Sequence, residues 1–214
     1  MAKKLLSNVP FAALLTYSPY GSSETSQKSR RACYGIKNGR ESLLEGVVSR
    51  CSDQCLTDAE FAAFFGEEVV LVPAPRSAPL VDGALWPAER LCETLVWFEL
   101  GKSVERVLTR TEQVPKSSFA RPGERPGVER HLETMTAEPS LLSGAKRMTV
   151  VDDVITKGRT LYAGCRLVKE TFPDAEVRAF AMVRTMGLQP EVEKVLDPCV
   201  GKLTYNGWDV EREP

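Results

Sequence analysis

Met148-Thr149-Val150-Val151-Asp152-Asp153-Val154-Ile155-Thr156-Lys157-Gly158-Arg159-Thr160 reads as a buried strand, an acidic pair, a turn and the start of a helix. Thr149, Val150 and Val151 are β-branched within a short apolar run, which suits a central strand covered on both faces. The run is expected to stop at Asp152-Asp153, where the chain leaves the sheet at the carboxyl end of the strand. Ligands of open α/β sheets bind at that edge. Gly158 lets the turn from Thr156 to Thr160 approach a ligand closely. The amides of the turn open the following helix, and a helix N-terminus attracts anions.

The pattern sets two carboxylates beside a phosphate-sized anion hole. Carboxylates suit the vicinal hydroxyls of a ribose or a hydrated magnesium ion, and the hole suits a phosphate monoester. A sugar 5-phosphate meets both demands. The plain alternative is a βα junction whose acids merely cap a helix. The thirteen residues resemble the phosphoribosyl-diphosphate (PRPP) signature of the type I phosphoribosyltransferases: apolar residues, two acids, apolar residues, then Thr-x-Gly-x-Thr.

Composition sets the outer bounds. A chain of 214 residues suits one domain with an appended subdomain, and a net charge of −1 offers no global basic field for nucleic acid. The cysteines, Cys33, Cys51, Cys55, Cys92, Cys165 and Cys199, form no C-x-x-C pair. Cys51 and Cys55 share a helical spacing, but a zinc site needs two more ligands. Reduced thiols in the cytoplasm are the expectation. Met1 to Thr16 faintly resembles a signal peptide, broken by Ser7, Asn8 and Pro10, and no run reaches membrane-spanning length.

Around the central stretch the chain alternates strands and helices. Val9–Leu15 reads as a strand or a helix, Tyr17–Ser29 as a loop, and Ser29–Lys37 as a helix ending at Asn38-Gly39. Leu43, Leu44, Val47, Val48 and Cys51 repeat at helical spacing. Thr57-x-x-Glu60 has the form of a capping box before a short helix through Phe61, Phe64 and Phe65, residues expected in the core. Val69–Val72 reads as a buried strand emptying into Pro73-Ala74-Pro75-Arg76-Ser77-Ala78-Pro79, a stiff loop in which Arg76 and Ser77 suit an anion. Pro87 opens a helix with Ala88, Leu91, Leu95 and Phe98 on one face, and Gly101 is expected to end it. Val104–Leu108 reads as a strand. Residues 109–130 carry cations and prolines without apolar periodicity, the mark of a functional or disordered loop. A short helix is expected within Met135–Ala145. Leu161, Cys165, Val168 and Phe172 suit a helix, Val177–Val183 a strand, and Leu203–Asp209 a hairpin around Asn206-Gly207.

Alternating strands and helices predict an α/β fold with a mostly parallel central sheet flanked by helices, the type I phosphoribosyltransferase core by resemblance. Within that family the pattern is most similar to the ComF-like group. Ile36-Lys37-Asn38-Gly39, the Val-Pro-Ala-Pro segment, the basic loop and the signature follow one another in ComF-like order over roughly residues 30–185. The four-cysteine zinc segment with which such proteins often begin has no counterpart here. Thr156 stands where purine-salvage relatives commonly place an aspartate, which argues against 6-oxopurine salvage. Lys157 and Arg159 replace residues that are usually small. A single domain over 1–214 is implied, with 1–60 and 186–214 as hood or peripheral segments.

The resemblance implies roles. Asp152 and Asp153 would hold the ribose hydroxyls of PRPP, directly or through Mg2+, and Thr156, Lys157, Gly158, Arg159 and Thr160 would wrap the 5-phosphate. Ala74, Pro75, Arg76 and Ser77 would form the pyrophosphate loop, which in this family often contains an unusual peptide geometry. The 109–130 loop would close as a lid, with Arg121 and Arg125 as candidates to meet the departing pyrophosphate. Lys157 is expected to face the ligand and Arg159 to point outward. His131 reads as a solvated loop residue, or else a contact or proton donor at pyrophosphate. Arg184 reads as a ligand-edge residue or one half of an ion pair, and Tyr205 and Trp208 as packed or base-stacking aromatics. The implied activity is phosphoribosyl transfer from PRPP to a small-molecule acceptor with release of pyrophosphate. The alternatives are a non-catalytic PRPP or nucleotide sensor acting through a partner protein or nucleic acid, and a nucleotide-consuming defence effector. A homodimer stays open, and no membrane contact is expected.

Overall fold

The computed structural model describes residues 6–115, 126–139, 144–187, 189 and 191–214. Its elements in chain order are β1 (Asn8–Tyr17), α1 (Glu24–Lys37), α2 (Glu41–Thr57), α3 (Ala59–Ala62), β2 (Val69–Pro73), α4 (Pro87–Trp97), β3 (Ser103–Val104) and β4 (Leu108–Arg110). There follow α5 (Val128–Glu133), β5 (Met135–Ala137), β6 (Arg147–Ile155), α6 (Arg159–Thr171), β7 (Glu176–Thr185), β8 (Leu196–Tyr205) and β9 (Val210–Glu213). A seven-stranded sheet runs β3-β2-β6-β7-β1-β8-β9. Strands β3, β2, β6, β7 and β1 are parallel, and β8 and β9 add an antiparallel margin beside β1. The expected α/β sheet flanked by helices is present.

Period-two alternation explains why the strands are apolar throughout. Val70, Val72, Met148, Val150, Val177 and Ala179 face one core, with Leu161, Cys165 and Val168 of α6. Val69, Leu71, Val151, Phe180 and Met182 face the other, beneath α1, α2 and α4. A strand covered on both sides has no face to give to water, so hydrophobicity runs on without a break. Phe61, Phe64 and Phe65 lie in the second core, and Phe61 and Phe65 pack on Phe180.

Several boundaries differ from expectation. Residues 1–60 were expected at the periphery, yet β1 lies inside the sheet between β7 and β8. Its apolar alternation fits a two-faced position, which one short run cannot distinguish from a helix. Helix α1 begins at Glu24, inside the expected Tyr17–Ser29 loop, because Ser23 caps it by accepting from the Ser26 amide. The Thr57-x-x-Glu60 pattern is not a capping box. Asp58 is the cap, accepting from the amides of Glu60 and Phe61 at 3.0 Å each, while Thr57 closes α2. Helix α4 stops at Trp97, before Gly101. Glu99 takes the left-handed position (φ 61°), and the Leu100 amide reaches back to the Leu95 carbonyl. Gly101 serves packing instead, since a Cβ there would lie 2.7 Å from Leu71 Cγ. The expected strand at Val104–Leu108 divides between β3 and β4, and the expected helix within Met135–Ala145 contains β5, paired antiparallel to β4. The Leu203–Asp209 hairpin forms as β8 and β9, with Gly207 at φ 98°.

A contact between α1 and the segment after β7 bears on the site. Glu191 accepts hydrogen bonds from the hydroxyls of Ser23 and Ser26 and the amides of Ser22 and Ser23. The Ser23 and Ser26 hydroxyls, with the Ser22 amide, pull its carboxyl down to about 2. The N-terminus of α1 is thus closed by the protein's own anion. Among the described residues, no helix is long and apolar enough to cross a membrane.

Candidate phosphate and sugar site at the carboxyl edge

The acidic pair stands at the carboxyl end of β6, as expected, although the strand continues past it to Ile155. Parallel pairing with β7 persists to Ile155↔Arg184, so the sheet, not the acids, decides where the strand ends. The Asp153 amide donates to Asp152 Oδ1 at 2.8 Å. Burial pushes the Asp152 carboxyl well above the ordinary carboxylate range, and the neighbouring Asp153 adds to the rise. Lys37, at the end of α1, opposes it. Two partly buried carboxylates side by side create a local demand for positive charge.

Thr156, Lys157 and Gly158 carry the chain from β6 into α6. Gly158 has φ 90° and serves as the N-cap of α6 without a side-chain hydrogen bond, in contrast to α1. A Cβ on Gly158 would fall 2.7 Å from Leu203 Cδ2 of β8, so glycine answers both to the left-handed backbone and to close packing. Thr160 Oγ1 lies 3.4 Å from His131 Nε2.

Lys157 and Arg159 both meet Asp209, at the turn between β8 and β9. Arg159 Nε donates to Asp209 Oδ1 at 2.6 Å and its Nη2 to Oδ2 at 2.7 Å, while Lys157 Nζ reaches Oδ2 at 3.1 Å. Arg159, expected on the outside, is the more enclosed of the two, with 20% of its side chain exposed against 57% for Lys157. The distant acid was not legible, because β8 and β9 reach it only through the sheet. Arg159 holds the Asp209 carboxyl well below the usual range. Because the folded value is depressed, this stabilisation is present above the ordinary carboxyl pKa of about 3.8 and fades as pH falls below it. Asp209→Asn is expected to cost about 1 kcal/mol at pH 7 and clearly less near pH 2, read as the melting temperature against pH. Equal losses at both pH values would show that the residue acts by packing.

The Ala74–Ser77 segment leaves β2 on the same edge. The Ala74 amide donates to the Val151 carbonyl at 2.8 Å, and Trp86 Nε1 donates to the Ala74 carbonyl at 2.8 Å. Arg110 Nε donates to the Arg76 carbonyl at 3.0 Å. Arg76 Nη1 is buried without a hydrogen-bond partner among the described residues. It borders a cleft of about 260 Å³ walled by Pro75, Pro79, Trp86, Leu108 and Arg110. A buried guanidinium donor with nothing to bind suits an incoming anion. No described peptide bond is cis.

His131 is buried, not solvated. It lies on α5 with Arg110 Nη2 3.3 Å from its Nδ1. Arg184 is buried and ion-paired with Asp197 of β8. Tyr205 stacks on Tyr162 with ring centroids 5.2 Å apart, whereas Trp208 is 90% exposed at the hairpin tip. Arg121 and Arg125 lie outside the described residues, as does the 116–125 stretch of the expected lid. Sequence reading passed over two cations near the acids. Lys37 stands in the Ile36-Lys37-Asn38-Gly39 segment at the end of α1, and no local pattern ties it to acids so distant in the chain. Arg110 was counted only as a loop cation.

Among the described residues, no cluster of three His, Cys, Asp or Glu side chains gathers for a metal. Asp152 and Asp153 nevertheless suit Mg2+, which binds through one or two carboxylates and keeps water and substrate oxygens as its other ligands. Burial chiefly, and the neighbouring Asp153 next, disfavour the charged Asp152 carboxylate, a cost that a dication would offset.

No protein-family model matches the chain, and no curated protein matches it. Among solved structures, adenine phosphoribosyltransferase from Leishmania donovani is similar over 87% of this chain and 85% of that one, at 13% identity and a TM-score of 0.36. Similarity at this level transfers neither residues nor activity, so the reading of the site rests on its own geometry.

Proposed function

We propose that the chain binds PRPP at the carboxyl edge and transfers its phosphoribosyl group to a small-molecule acceptor. The observation that carries this reading is the Asp152-Asp153 pair followed within five residues by an α6 N-terminus whose N-cap, Gly158, supplies no side-chain cap. The acids suit the ribose hydroxyls and the α6 amides the 5-phosphate. Thr156, Lys157, Gly158, Arg159 and Thr160 would wrap the 5-phosphate through backbone amides and threonine hydroxyls, with the Lys157 and Arg159 side chains held by Asp209. Ala74, Pro75, Arg76 and Ser77, with the unpartnered Arg76 donor, suit the pyrophosphate.

Breaking the bond from C1 to pyrophosphate builds positive charge on the sugar and negative charge on the leaving group. The nucleophilic atom of the acceptor bonds to C1 as pyrophosphate departs, so no protein nucleophile is required. Arg76 would stabilise the departing charge, joined by Arg121 and Arg125. Asp152 and Asp153 would hold Mg2+, which when bound supplies further charge neutralisation at pyrophosphate. The acid pair also fixes the ribose against the incoming acceptor. We further propose residues 111–127 as a cover that excludes water from the sugar cation, since Thr109 and Arg110 of the expected 109–130 loop belong to β4 and Val128–Arg130 to α5.

Incubation with PRPP, Mg2+ and a panel of bases, following pyrophosphate release, tests the reading. Acceptor-dependent release is expected. Release without acceptor marks a hydrolase of the effector kind, and binding without release marks a sensor. Arg121→Ala and Arg125→Ala are each expected to lower turnover about tenfold or more, with PRPP affinity changed less.

A further inference from the structure

A buried polar chain links the two anion-facing loops. Arg110 Nε donates to the Arg76 carbonyl, and its Nη1 donates to Thr134 Oγ1 at 2.7 Å. Its Nη2 lies 3.3 Å from His131 Nδ1, and His131 Nε2 lies 3.4 Å from Thr160 Oγ1. Arg110 and His131 are 6% and 3% exposed. The chain thus runs from the loop after β2, through β4 and α5, to the first turn of α6.

Hydrogen-bond polarity along this chain is determined. A guanidinium only donates, so Nδ1 of His131 must accept. The neutral ring then carries its proton on Nε2 and donates it to Thr160 Oγ1. The reverse tautomer would turn an N–H towards the Arg110 N–H, and the doubly protonated ring would do the same. Having accepted from His131, the Thr160 hydroxyl keeps its own proton free to donate elsewhere. We infer that His131 is a positioning residue, locked as the Nε2–H tautomer by Arg110 so that Thr160 presents a donor to the anion held at the α6 N-terminus. This rests on the phosphate reading of that turn.

The surroundings support a ring that is neutral at neutral pH. The charged groups facing it are Arg110 from β4 and Arg159 from α6, both cationic, and burial lowers its pKa to about 4 together with them. Arg130, on the same helix, is engaged by Glu112 and Glu133. An arginine and a histidine buried together, with Asp152 acting on the arginine only through space, make a poor stabilising device but a good way to orient a hydroxyl. The long contacts at Nδ1 and Nε2 leave room to tighten around a bound anion.

His131 is the sole histidine of the chain, so a long-range proton–nitrogen-15 spectrum of the free protein reads it without ambiguity. The expected result is the Nε2–H pattern, unchanged from about pH 8 to about pH 5.5. An Nδ1–H pattern, or titration near the ordinary value of about 6.5, overturns the inference. In parallel, ribose 5-phosphate affinity is measured for wild type, Thr160→Ser, Thr160→Val, His131→Gln and His131→Phe. Thr160→Ser, which keeps the hydroxyl, and His131→Gln, with one donor group and one acceptor group, are expected to bind more tightly than Thr160→Val and His131→Phe. Valine at 160 and phenylalanine at 131 should each lose about tenfold, the worth of one hydrogen bond to a charged group. Thr160→Val binding as well as Thr160→Ser overturns the inference even if His131→Phe misfolds. Wild type failing to bind ribose 5-phosphate while the spectrum shows Nε2–H sinks the phosphate reading and leaves the Arg110–His131 lock standing. Normal binding with the wrong tautomer does the reverse.

Discussion

Replacing Asp152 and Asp153 together by Asn is expected to lower PRPP affinity in Mg2+ by at least an order of magnitude while raising the melting temperature at neutral pH. The two effects have one cause. Burial and the adjacent Asp153 hold the Asp152 carboxyl above its ordinary range, so the fold disfavours its charged form. A raised folded pKa means that this group's contribution to stability is fully present below the ordinary value of about 3.8 and is lost as pH rises through the folded value. At pH 7 the pair is therefore a standing cost, and Asn removes it. A gain of about 1 kcal/mol corresponds to roughly 2–4 °C in a domain of this size. The gain should vanish near pH 3, where Asp152 is protonated in wild type as well. Loss of the charge-assisted bonds proposed to sugar and metal would have the opposite sign for binding. Calorimetry with PRPP and Mg2+, beside melting curves at both pH values, reads the two together. A stable double variant that binds like wild type would remove the acids from the site. A less stable one would show that they serve the fold.

This coupling is why the sheet was easier to read than the site. Val69–Val72, Val150–Val151 and Val177–Val183 announce buried strands because both faces of each lie under helices. Nothing local reveals that Val9–Leu15 joins them, since its neighbours β7 and β8 lie at the far end of the chain. The acids and Gly158 were legible because a strand, a turn and a helix are consecutive and their geometry is local. Asp209 was not, because it reaches Lys157 and Arg159 across about fifty residues. His131 and Arg110 read as loop polars for the same reason. They are buried by α6 and by the β4–β5 pair, and a short three-residue strand such as β5 leaves almost no periodic trace. Residues whose role depends on a distant partner escape a linear reading even when their type is noticed.

Gly158→Ala is expected to be among the most damaging single changes in the chain, although it adds only one methyl group. Gly158 sits at φ 90°, ψ 6°, a conformation that costs a residue with a Cβ about 1 kcal/mol or more. Its Cβ would also lie 2.7 Å from Leu203 Cδ2 and 3.3 Å from Ile155 Cδ1. Leu203 is fully buried in the core beneath β8, so its methyl cannot swing into solvent. Overpacking of that kind adds about 1–3 kcal/mol. Together the two terms predict a loss of about 2–4 kcal/mol and a fall in melting temperature of roughly 5–15 °C. Relief through the backbone would rotate the turn and re-aim the α6 amides, so ribose 5-phosphate binding should fall further than stability alone explains. A second change separates strain from collision. Leu203→Ala opens the space, and in the double variant the collision term should disappear while the left-handed cost remains. The pair should then be less harmful than the sum of the single changes by about 1–2 kcal/mol. Strict additivity in a denaturant cycle would mean that Leu203 never pressed on the turn. Gly158→Ala melting with wild type would mean that the backbone there is free to leave the left-handed region, and the anion site at α6 would lose its geometric basis.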